Sequence, residues 1–323
     1  MIAVAEKLTP ATLLPFLLAF ATVTSAESFS VRDLNPLLSG YEIPPALPST
    51  QTSSTVLDAQ WTISNTSLDQ HSAQEALQLD AELQSWQFNF TQPLSHNLSL
   101  RIELPYLIVS GGSLDSFIES FHHSFGLANG NRSNWPRKRL WVHHQRFTDT
   151  DYLLGDATHG LGDLAMRIGW HLNTRPSFNN NLWLSLKLPT GNAGKLTGSG
   201  AVDLALTYSL SQQLSARFTT QQQISLSLLG QGKRLAAQHE TLVWSGSLGI
   251  NAIVTRHWSA VLQFDGHSRV FDSDLRVLGS ALQLSFGPRY QSGAWQSYLS
   301  ISEDIAVDTA PDVQFQLSVQ RKF

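Results

Sequence analysis

Histidines and carboxylates are concentrated in one stretch of the chain, residues 110–159. They are His122, His123, His143, His144, His159, Asp115, Glu119, Asp149, Asp151 and Asp156. These groups bind a metal ion when several of them converge on one point. Adjacent histidines on a helix point in different directions, and the spacing His-Glu-x-x-His is absent. We therefore expect a solvated loop and predict no cofactor, with metal binding by the loop histidines as the alternative.

Serine, histidine and aspartate are also frequent in the loops, and together they could hydrolyse an ester or a peptide. Such chemistry needs a nucleophile, a base and an orienting group within hydrogen-bond reach. The sequence has no Gly-x-Ser-x-Gly nucleophile motif. The prediction is that the protein is not an enzyme, and a lipase or protease working at a membrane rim remains the alternative.

A third set of polar residues alternates with apolar ones from Gly160 onward. The candidates for one water-facing surface are Asp163, Arg167, His171, Lys187, Asp203, Arg217, Gln263, Asp265, His267 and Arg269. They mix both signs of charge with amides, so a pore that they line would have no strong ion selectivity. Alternatively, opposite charges pair across a filled barrel.

The elements that carry these residues are strands with a period of two. Residues 182, 184, 186 and 188 are all leucine, for example, while Lys187 lies in the other register. Counting such segments predicts an all-β fold, a transmembrane antiparallel barrel of about twelve strands over residues 55–323. Bacterial single-chain barrels have an even number of strands.

Composition agrees with a wall that faces lipid on one side and water on the other. The formal charge is −4, only 14% of residues are charged, and there is no cysteine. The lack of cysteine excludes disulfide scaffolds and cysteine-ligated zinc. No basic stripe is present, so no nucleic-acid partner is expected.

The first 26 residues have the pattern of a secretory signal peptide. Lys7 precedes an apolar run over residues 13–23, and small residues lead to Ala26. The run is too short for a membrane-spanning helix and is interrupted by Pro15. We predict export to the outer membrane of a Gram-negative bacterium, and a Pro-rich strap or plug entering from the periplasm over residues 27–54.

The long loop of residues 110–159 is predicted to be extracellular and to contain one short helix over residues 113–125. Ser113 can cap it, and its apolar stripe is Leu114, Phe117, Ile118, Phe121 and Phe125. We expect the stripe to fold into the barrel mouth, where Phe117 and Phe121 form a constriction. The outer leaflet or a partner could cover it instead. Residues 140–147 are expected to form a strand or hairpin above the membrane.

The terminal segment VQFQLSVQRKF predicts a strand with one apolar face that only Arg321 interrupts. Its last residue, Phe323, joins a predicted periplasmic girdle of Phe88, Phe90, Trp170, Tyr208, Trp258, Phe286 and Trp295. A terminal aromatic on such a strand resembles the signal that the barrel assembly machinery reads. That machinery and outer-membrane lipid are therefore the predicted partners.

Four motifs resemble a proteobacterial family known only as a domain of unknown function, DUF3187. They are NPL at 35–37, SGGSLDSFIESFHHSFGLANGNR at 110–132, GLGDL at 160–164 and LPTG at 188–191. GLGDL and LPTG also occur in outer-membrane channels associated with meta-cleavage phenol degradation. The resemblance implies an outer-membrane barrel and assigns no activity. We expect a passive channel for small polar or amphipathic solutes, or else a plugged barrel with a structural or interaction role.

Overall fold

The computed structural model of the protein describes residues 27–49, 53–112, 114, 120, 135–147, 149–175, 177–306 and 308–323. The signal peptide expected over residues 1–26 lies outside this part. The strands are β1 (Val56–His71), β2 (Glu75–Ser95), β3 (Leu98–Ser110), β4 (Trp141–Arg146), β5 (Asp149–Leu154), β6 (Thr158–Leu161), β7 (Leu164–Arg175), β8 (Phe178–Leu188), β9 (Asp203–Gln213), β10 (Phe218–Leu228), β11 (Leu242–Ile253), β12 (Trp258–His267), β13 (Ala281–Ser292), β14 (Trp295–Asp304) and β15 (Val313–Lys322).

Twelve of these strands form one closed antiparallel barrel. Each pairs with its neighbour in chain order from β7 to β15, β3 pairs with both β2 and β7, and β2 pairs with β1. The barrel closes between β1 and β15, in a register that runs from Val56 opposite Lys322 to Asn65 opposite Val313. The predicted fold class and strand number are confirmed.

The remaining three strands lie outside the ring of twelve. β4 pairs with the first residues of β2, and β5 pairs with β4 to make a hairpin. β6 pairs with the last residues of β3, directly above β7. The strand or hairpin expected over residues 140–147 is therefore present as β4 and β5.

The alternating pattern decides which face of each strand meets lipid. In β8, Leu184 and Leu186 point outward and are exposed, while Trp183, Ser185 and Lys187 point inward and are buried. The outward rings of the predicted girdle are also exposed, among them Phe88, Trp258 and Phe323. A wall of this kind buries polar side chains inside and offers apolar ones to the bilayer.

Apart from the short outer connection 72–74 between β1 and β2, short connections alternate with long ones along the barrel. The short ones, which outer-membrane barrels place in the periplasm, span 96–97, 176–177, 214–217, 254–257 and 293–294. The long ones include 189–202, 229–241 and 268–280. The apolar alternation of the sequence runs over residues 276–286, but residues Arg276–Leu278 form a 3-10 turn and β13 begins only at Ala281. Buried Val277 and Leu278 gave that stretch its apolar pattern.

Helical structure in the described residues consists of the 3-10 turns Ala193–Lys195, Ala236–Gln238 and Arg276–Leu278, and residue Ser120 is helical. In that same part of the chain, no helix has the length and apolarity needed to cross a membrane. The helix expected over residues 113–125 falls almost wholly outside the described residues, so it stays a prediction.

Candidate functional site: the barrel lumen

Residues 27–49, here called the lumenal segment, lie inside the barrel. Near its start, the Phe29 amide donates to the Gln263 side chain of β12 at 2.8 Å. Near its end, the Pro48 carbonyl accepts from Trp183 Nε1 of β8 at 3.2 Å. At its middle, Asn35 Nδ2 donates to the Val277 carbonyl of an outer loop at 2.8 Å. The segment therefore enters from the periplasmic end, reaches the outer loops and returns.

A buried cluster of five charges joins the lumenal segment to the wall. Glu103 of β3 accepts from Arg32 at 2.8 Å, from Arg101 at 2.7 Å and from Arg167 of β7 at 2.6 Å. Arg167 also pairs with Glu42 of the segment. Charges taken out of water are stable only when they are paired and hydrogen-bonded in this way. The cluster thus fixes both arms of the segment, through Arg32 and Glu42.

A second charged cluster explains two of the sequence motifs. Asp163 of GLGDL accepts from Lys187 Nζ at 2.8 Å and from the amide of Gly191, in LPTG, at 2.8 Å. Gly198 packs so closely that an added Cβ would lie 2.3 Å from Asp163 Oδ1. Lys187 pairs in addition with Asp203 at 3.0 Å. The motifs therefore build a rigid turn against the inner wall.

This cluster also holds the lumenal segment. Asp203 Oδ2 accepts from the Glu42 amide at 3.0 Å. On β12, three strands along the ring from β9, His267 Nε2 lies 3.0 Å from Asp33 Oδ2. Gln223 accepts from the Leu47 amide and donates to the Pro45 carbonyl, both at 2.8 Å. Inward side chains of strands around the ring therefore contact the segment instead of open water.

The outer end of the lumen is closed by an apolar core. The tip of the lumenal segment packs there with side chains of the upper β2 and of the outer loops. The core includes Leu34, Leu37, Leu38, Tyr41, Leu77, Leu79, Leu83, Leu196, Leu235, Val270, Phe271, Leu275, Val277 and Leu278. Burying such side chains stabilises their contacts by roughly 1.5–3 kcal/mol each. The tip is thus held by burial, while the two arms are held mainly by polar contacts, with one small apolar cluster of Phe29 and Val31 against Val261 and Tyr298.

Arg234 of an outer loop adds a polar contact at this tip. It donates to the Ser39 carbonyl, and its guanidinium lies 5.7 Å from the centre of the Tyr41 ring. Burial lowers the pKa of Arg234 from its ordinary value.

Three small cavities beside the segment are lined by described residues. One of about 70 Å³ lies between Tyr41, Glu42 and the wall, one of about 60 Å³ lies at the periplasmic end, and one of about 30 Å³ lies beside Asp33. Each is large enough for water only. Within the part of the lumen that the described residues line, a solute larger than water would therefore pass these cavities only if the segment moved.

Most of the predicted pore-lining residues face the lumen. Asp163, Arg167, His171, Lys187, Asp203, Gln263 and His267 are buried there, and Asp265 accepts from Gln263 at 2.9 Å.

Two of the predicted pore-lining residues lie elsewhere. Arg217 is exposed in the turn of residues 214–217, because β10 begins only at Phe218. Arg269 follows the end of β12 and pairs with Glu240 and Asp272 at the outer surface. The sequence reading extended both strands too far.

The loop histidines that the structure describes have separate surroundings. His144 is buried, with Nε2 at 3.1 Å from Glu75 and Nδ1 at 3.3 Å from Asp151. His159 Nδ1 lies 2.7 Å from the Tyr106 hydroxyl. Within the described residues, no group of three or more histidines and carboxylates is arranged to hold a metal ion. The proposed constriction residues Phe117 and Phe121 lie outside the described residues.

Sequence reasoning missed the residues that tie the segment down. Arg32, Asp33 and Glu42 lie in a stretch interpreted from its prolines alone, and Arg101 and Glu103 lie in β3. Charges at alternate positions of a membrane strand were the available signal, because lipid excludes them from the outer face.

Comparison with known proteins identifies the family. The profile described as "Protein of unknown function (DUF3187)" matches residues 6–323. The chain belongs to this family. Among curated proteins, none matches this sequence.

Solved structures show the same fold. The COG4313 outer membrane channel from Pseudomonas putida F1 has 13% sequence identity, with 87% of this chain and all of that chain covered at a TM-score of 0.55. The NanC porin has 8% identity over 83% of this chain and all of its own, at a TM-score of 0.47. The KdgM porin has 6% identity over 83% of this chain and 99% of its own, at a TM-score of 0.44. At 13% identity the likeness to the COG4313 channel concerns the fold alone, which is that of an outer-membrane barrel.

Proposed function

We propose that this protein is a passive outer-membrane channel for small polar or amphipathic solutes, and that the lumenal segment is its gate. The observation that carries the proposal is the chemistry of the interface between segment and wall. Apart from one apolar cluster, in which Phe29 and Val31 pack against the wall, both arms are held by hydrogen bonds and ion pairs, such as those of Asp33 and Glu42, which water can replace. Displacing the arms would leave a lumen lined by polar side chains of both signs.

Further support comes from the fold and from the expected export. A barrel of this type occurs in the outer membrane channel with the 0.55 TM-score. The N-terminal pattern of residues 1–26 would deliver the chain to the periplasm as a signal peptide. The mixed charges predict weak discrimination between anions and cations.

Deleting residues 27–49 while keeping the signal peptide tests the proposal. We expect discrete conductance steps in planar bilayers from the deletion variant, and few or none from the wild-type protein. Arg217→Gln, on an exposed turn, serves as the control and should behave as the wild type does. Heat-modifiable migration on gels would establish that each barrel is folded. A folded deletion variant without conductance would favour the plugged structural role instead.

A hydrolase remains the second candidate because of one hydrogen-bonded chain at the periplasmic end. Ser99 Oγ lies 2.7 Å from His171 Nε2, and His171 Nδ1 lies 2.8 Å from Asn181 Oδ1. In hydrolases, a serine nucleophile, a histidine base and an orienting amide are hydrogen-bonded in the same order. Asn181 also donates to the Pro48 carbonyl, so the chain anchors the lumenal segment as well.

Labelling with a fluorophosphonate separates the two roles of this chain. An activated serine would react in the variant that lacks residues 27–49 and lose the label in Ser99→Ala. We expect no Ser99-dependent labelling, because the anchoring role needs only the hydrogen bonds. Labelling that disappears in both Ser99→Ala and His171→Ala would favour the hydrolase.

A further inference from the structure

An apolar groove of about 550 Å³ lies on the outside of the barrel, at the seam where β1 meets β15. Its floor is formed at Ala59, whose paired neighbours are Phe88 on β2 and Val319 on β15. A methyl group between larger outward side chains leaves a depression in an otherwise even lipid-facing wall. The lining also includes Asp58, Leu104, Trp295, Arg321 and Phe323.

One end of the groove carries a positive charge. Arg321 is the cation that interrupts the outward apolar register of β15, and it is exposed. Its guanidinium lies 5.1 Å from the centre of the Trp295 ring and 4.6 Å from that of Phe323. Two aromatic faces therefore hold the charge at the rim, in a position that cation–π contacts stabilise.

The direction of the groove matches that of a lipid molecule. Arg321 and Trp295 lie opposite each other at the periplasmic ends of β15 and β14. Phe88 and Leu104, which are paired, lie further from the periplasmic turn of residues 96–97. The charge is thus at the level of lipid headgroups, and the apolar part extends toward the middle of the bilayer.

The carboxylate that contributes to the lining does not compete for the site. Asp58 accepts from Asn89 Nδ2 and from Ser318 Oγ, both at 2.7 Å, and these side chains belong to the inward register. Arg321 remains available for an anionic group outside the barrel.

We propose that this groove is a binding site for a phospholipid of the periplasmic leaflet. One acyl chain occupies the depression above Ala59, and the phosphate contacts the Arg321 guanidinium, which can donate two parallel hydrogen bonds to it. The site differs from ordinary lipid contact because shape and charge coincide at one place. It rests on the barrel wall alone and is independent of whether the lumen conducts.

Native mass spectrometry of the detergent-purified full chain tests the site, with diacyl phosphatidylglycerol as the probe. We expect one lipid to stay bound to the wild-type protein. Ala59→Phe fills the depression and Arg321→Gln removes the charge, so each should lower the retained fraction at least fivefold. Diacylglycerol with the same acyl chains lacks the phosphate. The wild-type protein should therefore retain diacylglycerol as poorly as Arg321→Gln retains phosphatidylglycerol.

Two substitutions provide matched controls. Ala260→Phe places the same ring at another outward alanine, on β12, and Arg175→Gln removes a cation at another periplasmic strand end. Both should keep wild-type retention. Equal retention by all four variants, or equal retention of diacylglycerol, would overturn the site. If Ala59→Phe does not fold, the comparison of Arg321→Gln with the wild-type protein still tests the site. A different result would be that the purified wild-type protein retains no lipid while Ala59→Phe or Arg321→Gln assembles poorly in cells. That result would refute lipid binding and would mean that the groove contacts an assembly partner.

Discussion

At the scale of single residues, the central feature is the imbalance of the five-charge cluster. In the ion pairs of the described residues, three guanidinium groups, those of Arg32, Arg101 and Arg167, meet two carboxylates, those of Glu42 and Glu103. Two of the five groups belong to the lumenal segment. Moving the segment would expose the remaining wall charges to water, so hydration offsets part of the lost pairing. The cluster is therefore a reversible attachment.

Replacing Glu42 with Gln should make the segment easier to displace. Breaking a buried ion pair costs roughly 3–5 kcal/mol, and a loss of only 1.4 kcal/mol in the closed state corresponds to a tenfold change in its population. We expect opening events in planar bilayers to become at least tenfold more frequent. Glu240→Gln, which breaks the exposed pair with Arg269, is the control. Unchanged opening in both variants would contradict a gating role for the cluster.

A pH effect is predicted outside the membrane, at Glu75. Burial raises the pKa of Glu75, but hydrogen bonds from Ser273, Gln238 and His144 outweigh it, so the pKa lies below its ordinary value. The ionised carboxylate therefore stabilises the outer loops at neutral pH. This contribution is present above the pKa of the unfolded chain and is lost as pH falls toward the folded value.

Hydrogen exchange of the β4 amides, corrected for the intrinsic effect of pH, measures this loss. We expect protection of residues 141–146 to fall on acidification in the wild-type protein. Glu75→Gln should show lower protection at neutral pH and a smaller change with pH, while Glu240→Gln keeps the wild-type profile. A wild-type protection that is constant across the acid range would refute the prediction.

The sequence identified wall residues better than it identified their partners. Alternation alone placed Arg167, Lys187 and Asp203 on the inner face, because a strand in lipid has one polar side. It could not show that the Glu42 carboxylate pairs with Arg167, or that the Glu42 amide donates a hydrogen bond to Asp203. Those partners lie more than a hundred positions away, in a segment without periodicity.

At the scale of elements, the strands were predictable and their ends were not. β10 and β13 begin later than the pattern indicates, since Arg217 lies in a turn and Val277 packs in the outer core. In the sequence, an apolar residue that is buried against loops cannot be told apart from an apolar residue that faces lipid. This ambiguity moved Arg269 into the predicted pore, because Val270 beside it is buried in the outer core.

The outer loop of residues 110–159 contains the predicted helix that could narrow the barrel mouth. If its helix folds into the mouth, Phe117 and Phe121 narrow the path outside the lumenal segment. Replacing both with Ser in the variant that lacks residues 27–49 should raise single-channel conductance above that of the deletion alone. Replacing Leu153 and Leu161, which are exposed on β5 and β6, with Ser is the control and should leave it unchanged. Equal conductance with and without the Phe substitutions would place the helix elsewhere.

At the scale of the whole molecule, the barrel has two different halves. The periplasmic half is filled by polar contacts with the two arms of the lumenal segment, such as those of Gln263 and Trp183. The outer half contains the apolar core around Leu37 and Phe271. A core built partly from loops resembles that of a soluble domain, so closure of the outer mouth should depend on the loops as much as on the segment.

Phe323 lies at the end of the strand that closes the ring. The Phe323 amide donates to the Thr55 carbonyl at 2.9 Å, beside the seam between β1 and β15, and its ring is exposed at the girdle. We expect deletion of Phe323 to lower the amount of heat-modifiable barrel in the outer membrane without reducing export, because the final strand would lose its rim aromatic. Arg321→Gln removes the ring's cationic neighbour but keeps Phe323, so it should assemble normally even while it loses lipid. If the deletion variant reaches wild-type levels of folded barrel, Phe323 is only a girdle residue, and the assembly machinery must recognise the apolar register of Phe315, Leu317 and Val319 alone.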